Sequence, residues 1–187
     1  MKSVALDPIG AEFRRYKAMA EAAAAQLGDE ELGRTEAWMG NSVGTLLWHI
    51  GGNLRSRFTD FLTSDGEKPW RDREGEFAER PWGDDRAMLM EHWERGWAAL
   101  AGALEELGDE DLARSVKIRG VELRVDEALL RSLGHIAYHV GQIVLTARAL
   151  RGEDWRFLTI PPGGSEAYNR SPTMERAADH AGRIRGE

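Results

Sequence analysis

The 187-residue sequence contains no cysteine, which removes disulfides, thiolate metal ligands and a cysteine nucleophile together. It also lacks any apolar run near the roughly 18 residues that a membrane crossing requires. No dense basic tract is present, and the formal net charge of −7 opposes the phosphate-facing surface that general nucleic-acid binding needs. Stretches such as "RGEDWR" and "RDREGE" mix the signs, the pattern of a solvated face. The opening "MKSVALDPIGAEF" has no apolar h-region of the kind a signal peptide carries. The expectation is a cytoplasmic protein with neither a nucleic-acid nor a membrane partner. Hydrophobic residues at 42% and charged ones at 30% are ordinary for a globular chain, and the length suits one core, hence a single domain over residues 1–187.

What the chain has in quantity is helical periodicity. Asp7-Pro8 reads as an N-cap followed by proline at the first helical position. Ile9, Phe13, Tyr16, Ala20, Ala23 and Leu27 then step by three and four, and Gly28 can end this first helix. Asn41 or Ser42 can cap a second, striped by Val43, Leu47, Ile50, Leu54, Phe58 and Phe61. Asp84 can cap a third, with Leu89, Trp93, Gly96, Leu100, Ala103 and Leu107 on one face. Asp126 can cap a fourth, striped by Leu129, Leu133, Ile136, Val140, Ile143, Ala147 and Leu150. The fold class is therefore all-α, a four-helix bundle. Alternation on either side of Arg119-Gly120 adds a small β-hairpin between helices three and four. A short C-terminal helix is expected after Ser171-Pro172. Residues 63–83 show no clear period, and ordered loops of that length are often functional lids. Trp70 and Trp82 lie in this loop. Trp70 reads as closing the bundle end or covering a site mouth, whereas Trp93 and Trp97 read as core or interface aromatics.

The stretch "LRSLGHIAYHVGQIV" raises the functional question. His135 and His139 are four apart on a helix and share a face beside the apolar stripe, together with Ser132, Gln142 and Thr146. Taken alone, such a pair is often two partly buried histidines with ordinary hydrogen bonds. His49 lies off the stripe of the second helix, with Asn53 one turn on. Three imidazoles from two helices can occupy one side of a cation and leave positions open, which suits a catalytic site better than a structural one. His92 and His180 stand in charged segments and read as surface residues. Gln142 is placed to bond a ligand, a substrate or a backbone carbonyl. Arg57 is placed to grip a substrate carboxylate or to pair with Asp60 or another acid. Tyr138 reads as packing at a helix boundary, and no acid stands out as a general base.

The segment "HIAYHVGQIVLTARAL", with its His-x-x-x-His-x-Gly-Gln pattern, resembles the last bundle helix of the DinB/YfiT-like metalloenzyme superfamily. "LLWHIGGNLRSRFTDFL" is similar to the helix that supplies the third ligand there. "GNLRSRFTDFLTSDGEKPWRDREGEF" and "LTIPPGGSEAYN" are similar to one subgroup of DinB-like proteins. The resemblance implies His49, His135 and His139 as ligands of a divalent metal ion, with zinc or nickel the foremost candidates. It implies transfer of a low-molecular-weight thiol to an electrophilic small molecule, with Gln142, Asn53 and Arg57 as supporting candidates, and a homodimer. A metal-dependent hydrolase, or a non-catalytic dimeric binding protein with a residual metal site, are the alternatives.

Overall fold

The computed structural model of the chain describes residues 3–35, 40–78, 80, 82 and 85–186. Four long helices carry the architecture: α1 (Leu6–Ala24), α3 (Val43–Phe58), α4 (Arg86–Glu106) and α5 (Val125–Arg151). A short α2 (Asp29–Gly33) follows α1. Strands β1 (Ser115–Ile118) and β2 (Val121–Arg124) stand between α4 and α5, and α6 (Ser165–Asn169) and α7 (Ala177–Arg185) close the chain. The result is an all-α bundle with a small hairpin. The apolar stripes meet in one buried cluster that includes Phe13, Leu47, Ile50, Leu54, Leu89, Trp93, Leu129, Ile136 and Ile143. Trp97 belongs to it as well. Among the described residues no helix is long and apolar enough to cross a membrane.

Most helix ends differ from the cap reading, while the stripes agree with it. Ser42 caps α3 as expected, its hydroxyl accepting the Thr45 N–H at 3.1 Å. In α1, however, the helix starts at Leu6, and Ser3 Oγ accepts the Leu6 N–H. Asp7 falls inside the first turn, where a negative charge meets the positive end of the helix dipole. Helix α1 stops at Ala24, and Gly28 instead stands at the start of α2. For α5 the cap is Arg124, whose N–H donates to Glu127, while Asp126 pairs with the Arg124 guanidinium. Asp84 lies outside the described residues. Ser171-Pro172 caps nothing, because α7 begins later, after Arg176. A capping side chain satisfies its requirement locally, and several residues within two positions of a boundary can serve.

Two close approaches set the bundle geometry near the histidines. Helices α3 and α4 cross at Gly51 and Gly96, where a Cβ on Gly96 would lie 2.4 Å from the Gly51 carbonyl oxygen. Trp82, fully buried, is seated over Gly44, where an added Cβ would meet its ring at 2.3 Å. It tilts against Trp48 with centroids 5.3 Å apart, so the loop closes this end of the bundle.

The hairpin turns at Arg119 and Gly120, both with positive φ (56° and 74°), as a two-residue turn matched to strand twist requires. An isolated ribbon of this size is marginal in water. Here Asp65, from the long loop, accepts the N–H groups of both turn residues at 2.8 and 2.7 Å, and Gly66 N–H donates to Lys117 O. Val116 and Ile118 bury against the bundle.

Candidate metal centre

Helix α3 delivers His49 and helix α5 delivers His135 and His139 to one point. The Nε2 atoms of His49 and His135 are 3.2 Å apart, and those of His139 and His135 are 3.1 Å apart. The three rings form a group able to hold a metal ion. His49 is buried, and the α5 pair is half-buried. Asn53 and Arg57 continue the same face of α3, and Arg131 and Ser132 precede His135 on α5.

The tautomers of two imidazoles are fixed from behind. His49 Nδ1–H donates to Glu76 Oε2 at 2.8 Å, and His139 Nδ1–H donates to Gln142 Oε1 at 2.8 Å. Both Nε2 atoms therefore present lone pairs to the common point. His135 Nε2–H could serve only one of them, and the buried His135 Nδ1 atom has no partner among the described residues. Three imidazoles arranged so leave lone pairs opposed unless something positive lies among them. These two separations suit a small cation, since nitrogens about 2.0–2.1 Å from one Zn²⁺ stand about 3.1 Å apart when the angle between them is about 100°, and the three ligand nitrogens all lie within 4.8 Å of one another. A carboxylate or amide behind each ligand imidazole is the usual support of such a site. The residues fit the group.

Charge state agrees with this chemistry. Burial, reinforced by His139, His49, Arg71 and Arg57, pushes the His135 imidazole down to about 3. Burial likewise pushes His139 down, opposed by Gln142 and aided by His49. Both rings are neutral near pH 7, as coordination demands. Because the folded value of His135 lies below the ordinary one of about 6.5, the unfolded chain takes up its proton first. Stability is then complete above about pH 6.5 and falls as the pH drops toward 3. Urea unfolding of metal-free protein between pH 7 and 4 should show this loss, with a flatter slope in His135→Gln; equal slopes would contradict it.

Glu76 and Arg71 went unread in the sequence because "RDREGE" has the look of a solvated face. In fact the Glu76 side chain is 5% and the Arg71 side chain 2% exposed. Arg71 donates from Nε and Nη2 to the two carboxylate oxygens at 2.8 Å each. Burial pushes the Glu76 carboxyl up, but Arg71 and His49 outweigh it and hold the group below its usual range. Its oxygens are thus committed to orientation rather than to proton abstraction. A 3-10 turn, Gly75–Phe77, places Glu76 beside α3. Gly52 admits it: a Cβ there would lie 2.2 Å from Glu76 Oε1. Gly52→Ala should therefore displace the carboxylate and weaken metal affinity by about 10-fold or more, with helix content retained. A cobalt titration equal to that of the unaltered protein would refute this role for Gly52.

Other candidates fall differently. Phe77, not Trp70, is the loop aromatic against His49, with centroids 4.7 Å apart. Trp70 is exposed beneath Arg55. Tyr138 is exposed rather than packed, and its ring sits 5.0 Å from that of His139. Arg57 is buried, bonded to Gly66 O and Glu67 rather than to Asp60. Gln142 is taken up by His139. His92 is not a surface residue: it stacks on Trp48 at 3.7 Å and donates to the Trp48 carbonyl. His180 is buried and donates to Leu158 O. Their charged neighbours face solvent while these rings turn inward.

A cavity of about 220 Å³ opens beside His49 and His135 and is also lined by Asn53 and Arg57. A larger one, about 630 Å³, lies between α1 and α4, away from the imidazoles. No curated protein and no solved structure matches the chain significantly. Residues 3–164 match a family described as "Protein of unknown function (DUF1572)", and the chain belongs to that family.

Proposed function

We propose that the protein is a divalent-metal-dependent enzyme of the DinB/YfiT type that transfers a low-molecular-weight thiol to an electrophilic small molecule. One observation carries the reading: the Nε2 atoms of three imidazoles gather at a common point that borders a cavity. His49, His135 and His139 would hold the ion, zinc or nickel being suited to an all-imidazole set. When bound, such an ion lowers the pKa of a coordinated thiol or water and so supplies a nucleophile at neutral pH. A chain without cysteine has no sulfur nucleophile of its own.

The remaining residues orient and enclose. Glu76 and Gln142 keep the proton on Nδ1 of His49 and His139, so that Nε2 is free. Arg71 holds Glu76 in place. Phe77 and Tyr138 flank the imidazoles of His49 and His139. Asn53 and Arg57 face the cavity where the electrophile would lie. Thiol transfer is favoured over hydrolysis because Glu76, the one acid against the imidazoles among the described residues, is tied to His49 and Arg71 and is not free to deprotonate water.

The test is to purify untagged protein and measure bound metal. Thiol conjugation and ester hydrolysis are then assayed with the metal present and after chelation. About one equivalent of metal with thiol-dependent, chelator-sensitive turnover is the expected result. Metal without turnover in either assay would favour a binding protein, and absence of metal after loading would remove the proposal.

A further inference from the structure

The cavity beside His49 and His135 is lined by four arginines, Arg57, Arg73, Arg119 and Arg131, and among the described residues by no carboxylate. They come from four places in the chain: the end of α3, the long loop, the hairpin turn and α5. Arg131 stands one helical turn before His135, and Arg57 stands two turns after His49, so the arginines lie to one side of the imidazoles on both helices. Glu67 pairs with Arg57 and Arg119 and offsets one of these charges. Among the described residues Arg73 has only an exposed contact to Glu74 at 3.9 Å. Arg131 is exposed and makes no ion pair or hydrogen bond among the described residues. Glu76, the nearest buried acid, is engaged by Arg71 and His49.

Asp65, bonded to the Arg119 and Gly120 N–H groups, offsets a second charge, so four arginines against two carboxylates leave an excess of about two positive charges facing a small concavity. Part of it is desolvated: Arg57 is 7% exposed, and burial lowers its pKa despite the opposing Glu67. Guanidinium groups favour planar anions with two acceptor oxygens, carboxylate or phosphate. The volume is below the roughly 300–1,000 Å³ of sites for drug-sized ligands, which restricts the guest to a compact molecule.

We infer that the substrate entering this cavity is a compact molecule bearing at least two anionic groups, carboxylate or phosphate, held by the arginine wall with its reacting end toward His49 and His135. The orientation of the reacting end rests on the metal-dependent reading above; anion capture by the arginines does not. No covalent step is added by this inference.

Calorimetric titration of the full-length protein, metal-free and cobalt-loaded, tests it with succinate, inorganic phosphate and neutral succinamide as probes. Succinate or phosphate should bind at one site per chain, the better of the two identifying the anionic group, and succinamide should bind at least about tenfold more weakly. Arg131→Gln should weaken anion binding at least about tenfold, with Arg131→Lys recovering part of it. Arg73→Gln, also at an exposed position, should weaken it in the same sense without touching the fold. Anion binding unchanged in both glutamine variants, or succinamide binding as well as succinate, overturns the inference. Arginine-dependent binding in protein that fails to take up cobalt upholds it while removing the metal reading. Cobalt uptake with no arginine-dependent binding does the reverse.

Discussion

His135→Ala is expected to lower cobalt or zinc affinity by more than about 100-fold, beyond the about 10–100-fold that loss of a supporting residue costs. Its Nε2 is the shared vertex of the cluster, 3.2 Å from that of His49 and 3.1 Å from that of His139. The metal-free protein should lose only about 1 kcal/mol, because a single hydrogen bond, from Nε2–H to His49 or His139, is removed. This combination separates a ligand from a core histidine, whose removal would destabilise the fold with or without metal. Thermal unfolding with and without excess zinc reads both quantities. Bound metal at 100 times its Kd adds about 2.7 kcal/mol to the unaltered protein, and at the same metal concentration that increment should fall to about 0.4 kcal/mol or less in the variant. A variant that keeps the zinc-induced shift would show that two imidazoles suffice and that His135 is not a ligand.

Glu76→Ala should be costly for a different reason. It leaves the Arg71 guanidinium, with a side chain only 2% exposed, buried and unpaired. Breaking a buried ion pair on one side costs about 3–5 kcal/mol. Metal affinity should fall by a further about 10–100-fold, because His49 loses the group that fixes its tautomer and ring plane. The double variant Arg71→Met with Glu76→Gln discriminates the two effects. It removes both charges together, so most of the stability should return, whereas the metal affinity should stay depressed. Denaturant unfolding and a cobalt titration on the same samples give the comparison. Glu76→Ala as stable as the unaltered chain would mean that Arg71 finds another partner and that the loop is not locked by this pair.

The bundle and the three imidazoles were legible in the sequence because they lie on helices. A stripe such as Val43, Leu47, Ile50 and Leu54 names the buried face, and a histidine beside it is then placed to within one turn. Gln142 was legible as a site residue but not in its role, since spacing alone does not separate a partner of His139 from a partner of the substrate. Glu76, Arg71 and Phe77 were not legible. They belong to a loop without a period, and its course is set by tertiary seats, Trp82 over Gly44 and Glu76 over Gly52. One signal was available. Two adjacent glycines inside a helix cost about 1 kcal/mol each relative to alanine, so Gly51-Gly52 beside His49 marks close approaches on two faces. Gly51 admits α4, and Gly52 admits the carboxylate. His92 and His180 were misplaced because neighbours' charges describe the outward face of a helix and say nothing of a side chain pointing the other way.

Asp65 joins the long loop to the hairpin by accepting the N–H groups of Arg119 and Gly120, and Arg119 forms part of the arginine wall. Helix α3 joins the same clasp from one side only, through Ser56 and Arg57, which donate to Gly66 O, and through Arg57 pairing with Glu67. Inserting or exchanging a few ribbon residues can accordingly reshape the mouth while the histidine triplet keeps its spacing. In this architecture half of the arginine wall, Arg73 and Arg119, can vary with loop and ribbon, whereas Arg57 and Arg131 are inherited on the same helices as the imidazoles.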